Sequence, residues 1–160
     1  MDKVDQYKKF MLESNNIEGE NEIHPRDIEA VEYVVNVGIE NVDDLLILHK
    51  MIGEYLEEGW VGNWRNCQVY IGDHVPPPAY LVPSLMMDFM NRFHEYNSWE
   101  AHNRFETIHP FRDLNGRMGR LIWLSKALDE GYKFQIPFLQ MYYYQTLQHQ
   151  QDRNTKNYDI

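Results

Sequence analysis

The residues best suited to chemistry lie in one short run, His109-Pro110-Phe111-Arg112-Asp113-Leu114-Asn115-Gly116-Arg117-Met118-Gly119-Arg120. A neutral imidazole at His109 can take a proton from an attacking hydroxyl. Asp113 is a hard oxygen ligand of the kind Mg2+ uses alongside phosphate oxygens and water. Asn115, Gly116 and Arg117 fall where a helix begins, and there the unpaired backbone N–H groups and the positive end of the dipole favour phosphate. Gly116 lets backbone approach a ligand closely. Arg117 and Arg120 are three apart, hence on one helix face, and each can fork two donors onto phosphate oxygens. Proton acceptor, metal ligand and anion cradle thus fit within twelve positions. Taken singly, each has a blander reading: arginines lying over the core, His109 ending a helix, Asp113 pairing with Arg112. Their joint occurrence favours a site.

Charge narrows the ligand. The chain has 160 residues and a formal charge of −10, which argues against general coating of nucleic acid. From 104 to 120, however, four arginines face only Glu106 and Asp113. A cationic spot on an anionic protein suits a small anion better than a polyanion. No run approaches the ~20 apolar residues that cross a bilayer, and the opening residues lack the apolar core and cleavage site of a signal peptide. The expectation is a soluble, cytoplasmic protein that engages no membrane. Cys67 is the only cysteine, so neither a disulfide nor a thiolate zinc site is available. His24, His49, His74, His94, His102 and His149 show no paired ligand spacing, and His102 reads as a hydrogen-bonded packing residue. No Walker lysine loop or dinucleotide fingerprint occurs.

The elements that must position this run are mainly helices. Val4, Tyr7 and Met11 mark one helix down to about Ile17, stopped by Gly19. A second starts at Pro25 and ends before Gly38, and Asn41 caps a third that carries Leu45, Leu48, Ile52 and Leu56 on one face. Cys67, Val69 and Ile71 then alternate with Gln68 and Tyr70, and Gly72-Asp73 supplies a two-residue turn, which predicts a small β-hairpin. Pro76-Pro77-Pro78 should run as an extended strap. A fourth helix opens at Pro83, and Asn97 with Glu100 has the spacing of a capping box for a fifth. That helix must end near His109-Pro110. The sixth takes in the cradle and reaches Gly131, and Pro137 starts a seventh in which Tyr142, Tyr143 and Tyr144 read as packing residues. The residues after Gln150 suggest a frayed tail.

At the twelve-residue run the sequence resembles the Fic family, whose signature is HPFx(D/E)GNGRxxR; only Leu114, where the family has glycine, departs from it. The order and spacing of the hairpin, the proline strap and the following helices are similar to the Fic core over roughly 40–150. The resemblance implies a Fic-type helical bundle with a small β-hairpin flap. It divides the chain into an N-terminal inhibitory region over 1–22, a core over 23–150 holding the active-site loop 109–120, and a tail over 151–160. It further implies a Mg2+-dependent protein adenylyltransferase that moves AMP from ATP to a Tyr, Ser or Thr hydroxyl of a target protein, which could include the chain itself.

On that resemblance His109 is the general base and Phe111 the anchor of the loop. Asp113 binds Mg2+, Asn115 meets the α-phosphate, Gly116 amides and Arg117 hold the β-phosphate, and Arg120 meets the γ-phosphate. The flap residues Val69, Tyr70, Ile71, Gly72 and Asp73 align a target segment by main-chain pairing. Ser14-Asn15-Asn16-Ile17-Glu18-Gly19 resembles the family's inhibitory motif (S/T)xxxE(G/N), in which Glu18 pairs with Arg120 and blocks productive nucleotide seating. Two alternatives stay open: another Fic chemistry (transfer of UMP, phosphocholine or phosphate, or removal of AMP), or a catalytically silent binding module. Leu114 motivates the second, because leucine at a position that requires φ > 0 costs about 1–2 kcal/mol. A homo-oligomer is also left open.

Overall fold

The structure, a computed structural model, describes residues 2–156, with side chains through Gln148. Among the described residues, seven α-helices follow one another: α1 (Lys3–Ile17), α2 (Asp27–Asn36), α3 (Val42–Gly53), α4 (Val82–Asn91), α5 (Ser98–Ile108), α6 (Asn115–Asp129) and α7 (Phe138–Lys156). Short 3-10 turns cover Glu54–Leu56, Ala79–Leu81 and Phe93–Glu95. The mainly α class read from the sequence therefore holds. No helix among the described residues is long and apolar enough to cross a membrane.

Local chemistry sets the ends that matter for the site. Gly19, at φ +79°, lets α1 close with Glu20 N bonding Asn15 O and Gly19 N bonding Asn16 O, so Glu18 becomes the last residue of the helix end. Asn41 and Asp44 form a complete capping box on α3. Asn97 Oδ1 accepts from Glu100 N at 2.8 Å to start α5. α5 stops at His109, itself left-handed at φ 51°.

α6 forms the axis of the bundle. Met118, Leu121, Ile122, Trp123, Leu124 and Ala127 are all buried, and so are the polar Asn115, Arg117 and Arg120. α5 packs along it most extensively, and α1, α2 and α3 also touch it. An element hidden on nearly every side needs no amphipathic stripe. At its start, no intrahelical bond closes before Met118 N to Leu114 O at 3.0 Å, which leaves the first-turn amides pointing outward.

Two expectations change. The hairpin shrinks to one antiparallel bridge, Ile71 with His74, and no longer ladder forms among the described residues. The reason is a shortage of backbone partners. The proline strap offers no N–H groups, Arg65 Nη1 takes the carbonyl of Cys67, and the Gln68 side chain bonds the Pro76 carbonyl. Of the three tyrosines expected to pack, Tyr142 does so against His102 and Phe138, but Tyr143 and Tyr144 stay more than half exposed. Consecutive residues on a helix point about 100° apart, so three in a row cannot share one buried face. The tail expected over 151–160 coincides with the end of α7 and with residues 157–160, which lie outside the described residues.

Candidate active site

His109, Asp113, Leu114, Asn115, Gly116 and Arg117 line one cleft of about 370 Å³, together with Glu18, Glu20 and Glu106. The left-handed turn at His109 swings its imidazole toward the start of α6. A second left-handed residue, Leu114 (φ 70°), turns the chain into that helix. A larger hollow of about 560 Å³ beside the C-terminal ends of α2 and α6 contains none of these residues.

The loop between the two turns is held by groups from three directions. Asn115 sits 3% exposed, with Oδ1 accepting from Phe111 N at 2.9 Å and Nδ2 donating to Phe111 O at 2.8 Å. Its side-chain oxygen is thus spent on the loop, and the side chain keeps one N–H for anything else. Phe111 is fully buried and stacks on His49. Arg65 threads beneath the end of α5: Nε donates to His109 O at 2.7 Å, and Nη2 to Ile108 O at 3.2 Å and Pro77 O at 2.6 Å. This guanidinium pairs with four carbonyls and no carboxylate, and burial lowers its pKa from the ordinary value. Cationic capping of terminal carbonyls suits the negative end of the helix dipole.

Neither His49 nor Arg65 was singled out from the sequence. Their partners are backbone atoms of distant residues, and those leave no trace in residue types.

The cradle is polar and partly engaged. Arg117 is 7% exposed; its Nη1 donates to Tyr55 Oη at 3.0 Å, and its Nε is buried without a partner. Tyr55 is in turn stacked on His24, with ring centroids 3.6 Å apart. Arg120 faces α1: Nε donates to Ser14 Oγ at 2.6 Å, and Nη2 to Ser14 O at 3.0 Å and to Glu18 Oε1 at 2.7 Å. That same Oε1 lies so close to Gly116 that a Cβ there would collide with it. A carboxylate therefore rests on the amide end of α6, where charge and dipole favour an anion.

Asp113 is exposed on the rim. Its Oδ1 accepts from Leu114 N at 2.7 Å, and its other oxygen has no hydrogen bond. No group of three or more His, Cys, Asp or Glu suited to a metal occurs among the described residues. One available carboxylate oxygen beside a phosphate cradle fits Mg2+, which takes few protein ligands and fills its shell with phosphate oxygens and water.

The flap residues Val69, Tyr70, Ile71, Gly72 and Asp73 do not line the cleft. The turn they form docks beside it through His74 Nε2, 3.0 Å from Thr107 O in the last turn of α5. His102 is buried against Tyr142, and burial lowers its pKa, so it packs as a neutral ring. The side chain of His149 lies outside the described side chains.

A helical bundle that presents a histidine beside an arginine-lined helix start is a Fic-type architecture. The chain belongs to the Fic/DOC family, whose model matches residues 40–125. The protein adenylyltransferase Fic of Drosophila grimshawi is 30% identical over 137 residues, covering 78% of this chain and 28% of that protein. Its counterpart in Drosophila melanogaster is 28% identical over the same length. The chain thus spans little more than a quarter of the length of these curated relatives. Among solved structures, a Fic family protein from Desulfovibrio desulfuricans G20 is similar at a TM-score of 0.56 and 28% identity, over 79% of this chain and 48% of that one. A Fic-domain signalling protein from Bacteroides thetaiotaomicron VPI-5482 shares the fold at a TM-score of 0.61 and 19% identity, over 82% of this chain and 66% of that one.

Proposed function

We propose that this chain is a protein adenylyltransferase that moves AMP from ATP to a hydroxyl of a target protein and is held back by Glu18. One observation carries the reading: the cleft of about 370 Å³ gathers His109, Asp113 and the unpaired amides of α6 around a single space. The relatives named as protein adenylyltransferases support the same chemistry.

In this mechanism the first-turn amides at Gly116 and the Arg117 guanidinium bind the α- and β-phosphates, with the spare N–H of Asn115 beside them. Arg120 binds the γ-phosphate once Glu18 has left it. Asp113 would hold Mg2+, which would supply charge neutralisation at the phosphates. His109 takes the proton of the attacking hydroxyl. The turn at Ile71–His74 presents exposed backbone and the exposed Tyr70 and Val75, an edge on which an extended target segment can pair. Catalysis rests on positioning and charge neutralisation, with no covalent enzyme intermediate.

The test incubates Glu18→Gly protein with ATP labelled at the α-phosphate and Mg2+, alone and with lysate, and follows label into protein. Adduct of the mass of AMP is expected, and His109→Ala in the same background should abolish it. Adduct of another mass would replace AMP transfer with a different Fic chemistry.

A silent binding module is the second reading, and Leu114 at φ 70° in the signature's glycine position is the observation that favours it. Mg2+-dependent ATP binding without any adduct, even in Glu18→Gly, would decide for that module.

A further inference from the structure

Two neighbouring buried atoms lack hydrogen-bond partners: His109 Nδ1 and Glu106 Oε1. The other carboxylate oxygen of Glu106 stands 3.5 Å from that same Nδ1, and Oε1 is 4.0 Å from His102 Nε2. His102, Glu106 and His109 are four and three residues apart, so they follow one face of α5. This face meets α6 at Gly119. A Cβ on Gly119 would strike Glu106 Oε1 and stand 3.1 Å from His102 Cδ2. The missing side chain is what gives the carboxylate its room.

A ring nitrogen kept from water without a partner is unfavourable, and the acceptor that stands beside His109 Nδ1 is Glu106 Oε2 at 3.5 Å. Because His109 lines the cleft while its Nδ1 is sealed from solvent, a proton arriving from the cleft can reach only Nε2. Among the described residues no other carboxylate lies within 4.0 Å of the His109 ring nitrogens. Distances of this kind commonly tighten when substrate binds.

We propose that Glu106 is the positioning residue for His109: its carboxylate accepts from Nδ1–H, holds the neutral ring in the tautomer whose Nε2 lone pair faces the cleft, and balances the charge the ring acquires. The inference rests on the transferase reading above and adds to it the group that orients the base. During transfer the target's hydroxyl oxygen forms a bond to the α-phosphorus, and the bond from that phosphorus to the bridging oxygen of pyrophosphate breaks. Pyrophosphate leaves with the electron pair of that bond, and the hydroxyl proton passes to Nε2. His109 then carries a proton on each nitrogen, and the Glu106 carboxylate makes the pair neutral until the ring returns its proton to solvent.

The test has an arm that needs no substrate. Ring 15N spectra of the full chain at about pH 8.5, where imidazole is neutral, are recorded for wild type, Glu106→Leu and Glu106→Gln, with His109→Ala assigning the signals. Nδ1–H is expected to dominate in wild type, and Glu106→Leu should shift His109 toward the Nε2–H form. In the second arm, transfer by Glu18→Gly protein is measured with and without each Glu106 change. kcat should fall at least about tenfold, with KM for ATP unchanged within about twofold, and Glu106→Asp should recover part of the loss. Gln keeps the side-chain shape, so it serves where Leu disturbs folding, as judged by circular dichroism. An unchanged tautomer in folded Glu106→Leu overturns the proposal, as does an unchanged kcat in either variant. Absence of all transfer by Glu18→Gly would instead sink the transferase reading, and the ring spectra alone would then decide the role of Glu106.

Discussion

His49 lies flat on Phe111, with ring centroids 3.7 Å apart and planes 3° from parallel. Its edge is equally committed, for Nδ1 accepts from Gly62 N at 2.8 Å, which leaves Nε2–H to donate to Asp113 O at 3.0 Å. One uncharged ring on α3 thus fixes the loop on both sides of Arg112. Burial lowers the His49 pKa to about 4, against about 6.5 in an unfolded chain. Between those values the unfolded state binds more protons, so stability falls as pH drops from 6.5 toward 4, by about 3 kcal/mol in full, and the effect vanishes above 6.5. The buried His102 acts in the same direction. Urea unfolding at pH 4.5 and 7.5 should show this gap in wild type and a smaller one in His49→Phe, which keeps a stacked ring but cannot titrate. An equal gap in both proteins would remove His49 from the account.

Leu114 and Gly53 share one space. A Cβ on Gly53 would stand 2.9 Å from Leu114 Cδ1 and 2.7 Å from Val61 Cγ1. The left-handed backbone at Leu114 costs about 1–2 kcal/mol, while burying the side chain, 4% exposed, returns about 2 kcal/mol. Leucine is therefore accommodated at a strained position because α3 offers a glycine opposite it. Leu114→Gly should relieve the strain yet lower stability by about 1–3 kcal/mol through lost packing. Gly53→Ala should cost about 1–3 kcal/mol by overpacking, against a smaller gain in helix propensity. The two together should cost about 1 kcal/mol less than their sum. A double-mutant cycle from thermal melts measures that coupling, and strict additivity would show that the two residues do not compete.

What could be read from the sequence was what is encoded locally. The caps at Asn41 and Asn97, the stop at Gly19 and the twelve-residue run all announce themselves within a few positions. Leu114 stood out because its residue type conflicts with the signature, and its φ of 70° shows the physical origin of that conflict. The flap misled because alternation at Cys67, Val69 and Ile71 describes side chains, whereas a ladder needs backbone partners that Arg65 and the prolines withhold. Arg65 and His49 act on carbonyls and an amide far along the chain, so no spacing reveals them. Glu106 was visible only as one of two acids in a basic stretch. Its relation to His109 and Gly119 exists only once α5 is docked on α6. Glu18 and Arg120 are 102 residues apart, and only the family resemblance could bring them together before the fold was known.

On the proposed reading, the Glu18 carboxylate occupies two features that an incoming nucleotide would need. It takes the Arg120 Nη2 donor at 2.7 Å, and it covers the amide end of α6 beside Gly116. Its side chain is 39% exposed, so solvent screens the pair, and the pair contributes about 1 kcal/mol or less to stability. Losing it frees one N–H of Arg120 Nη2 for a ligand, while Ser14 still holds Nε and the other Nη2 N–H and so keeps the guanidinium in place. Glu18→Gly should therefore melt within a few degrees of wild type, while Mg2+ and ATP raise its melting temperature more than they raise that of wild type. Label transfer from ATP should rise at least about tenfold, which corresponds to about 1.4 kcal/mol of better phosphate seating. Glu18→Gln separates charge from bulk: transfer near the Gly variant makes the carboxylate's charge the brake, and transfer near wild type makes it the side chain's volume. Equal labelling by Glu18→Gly and wild type, with equal thermal shifts on adding nucleotide, would show that the carboxylate on the α6 amides restrains nothing.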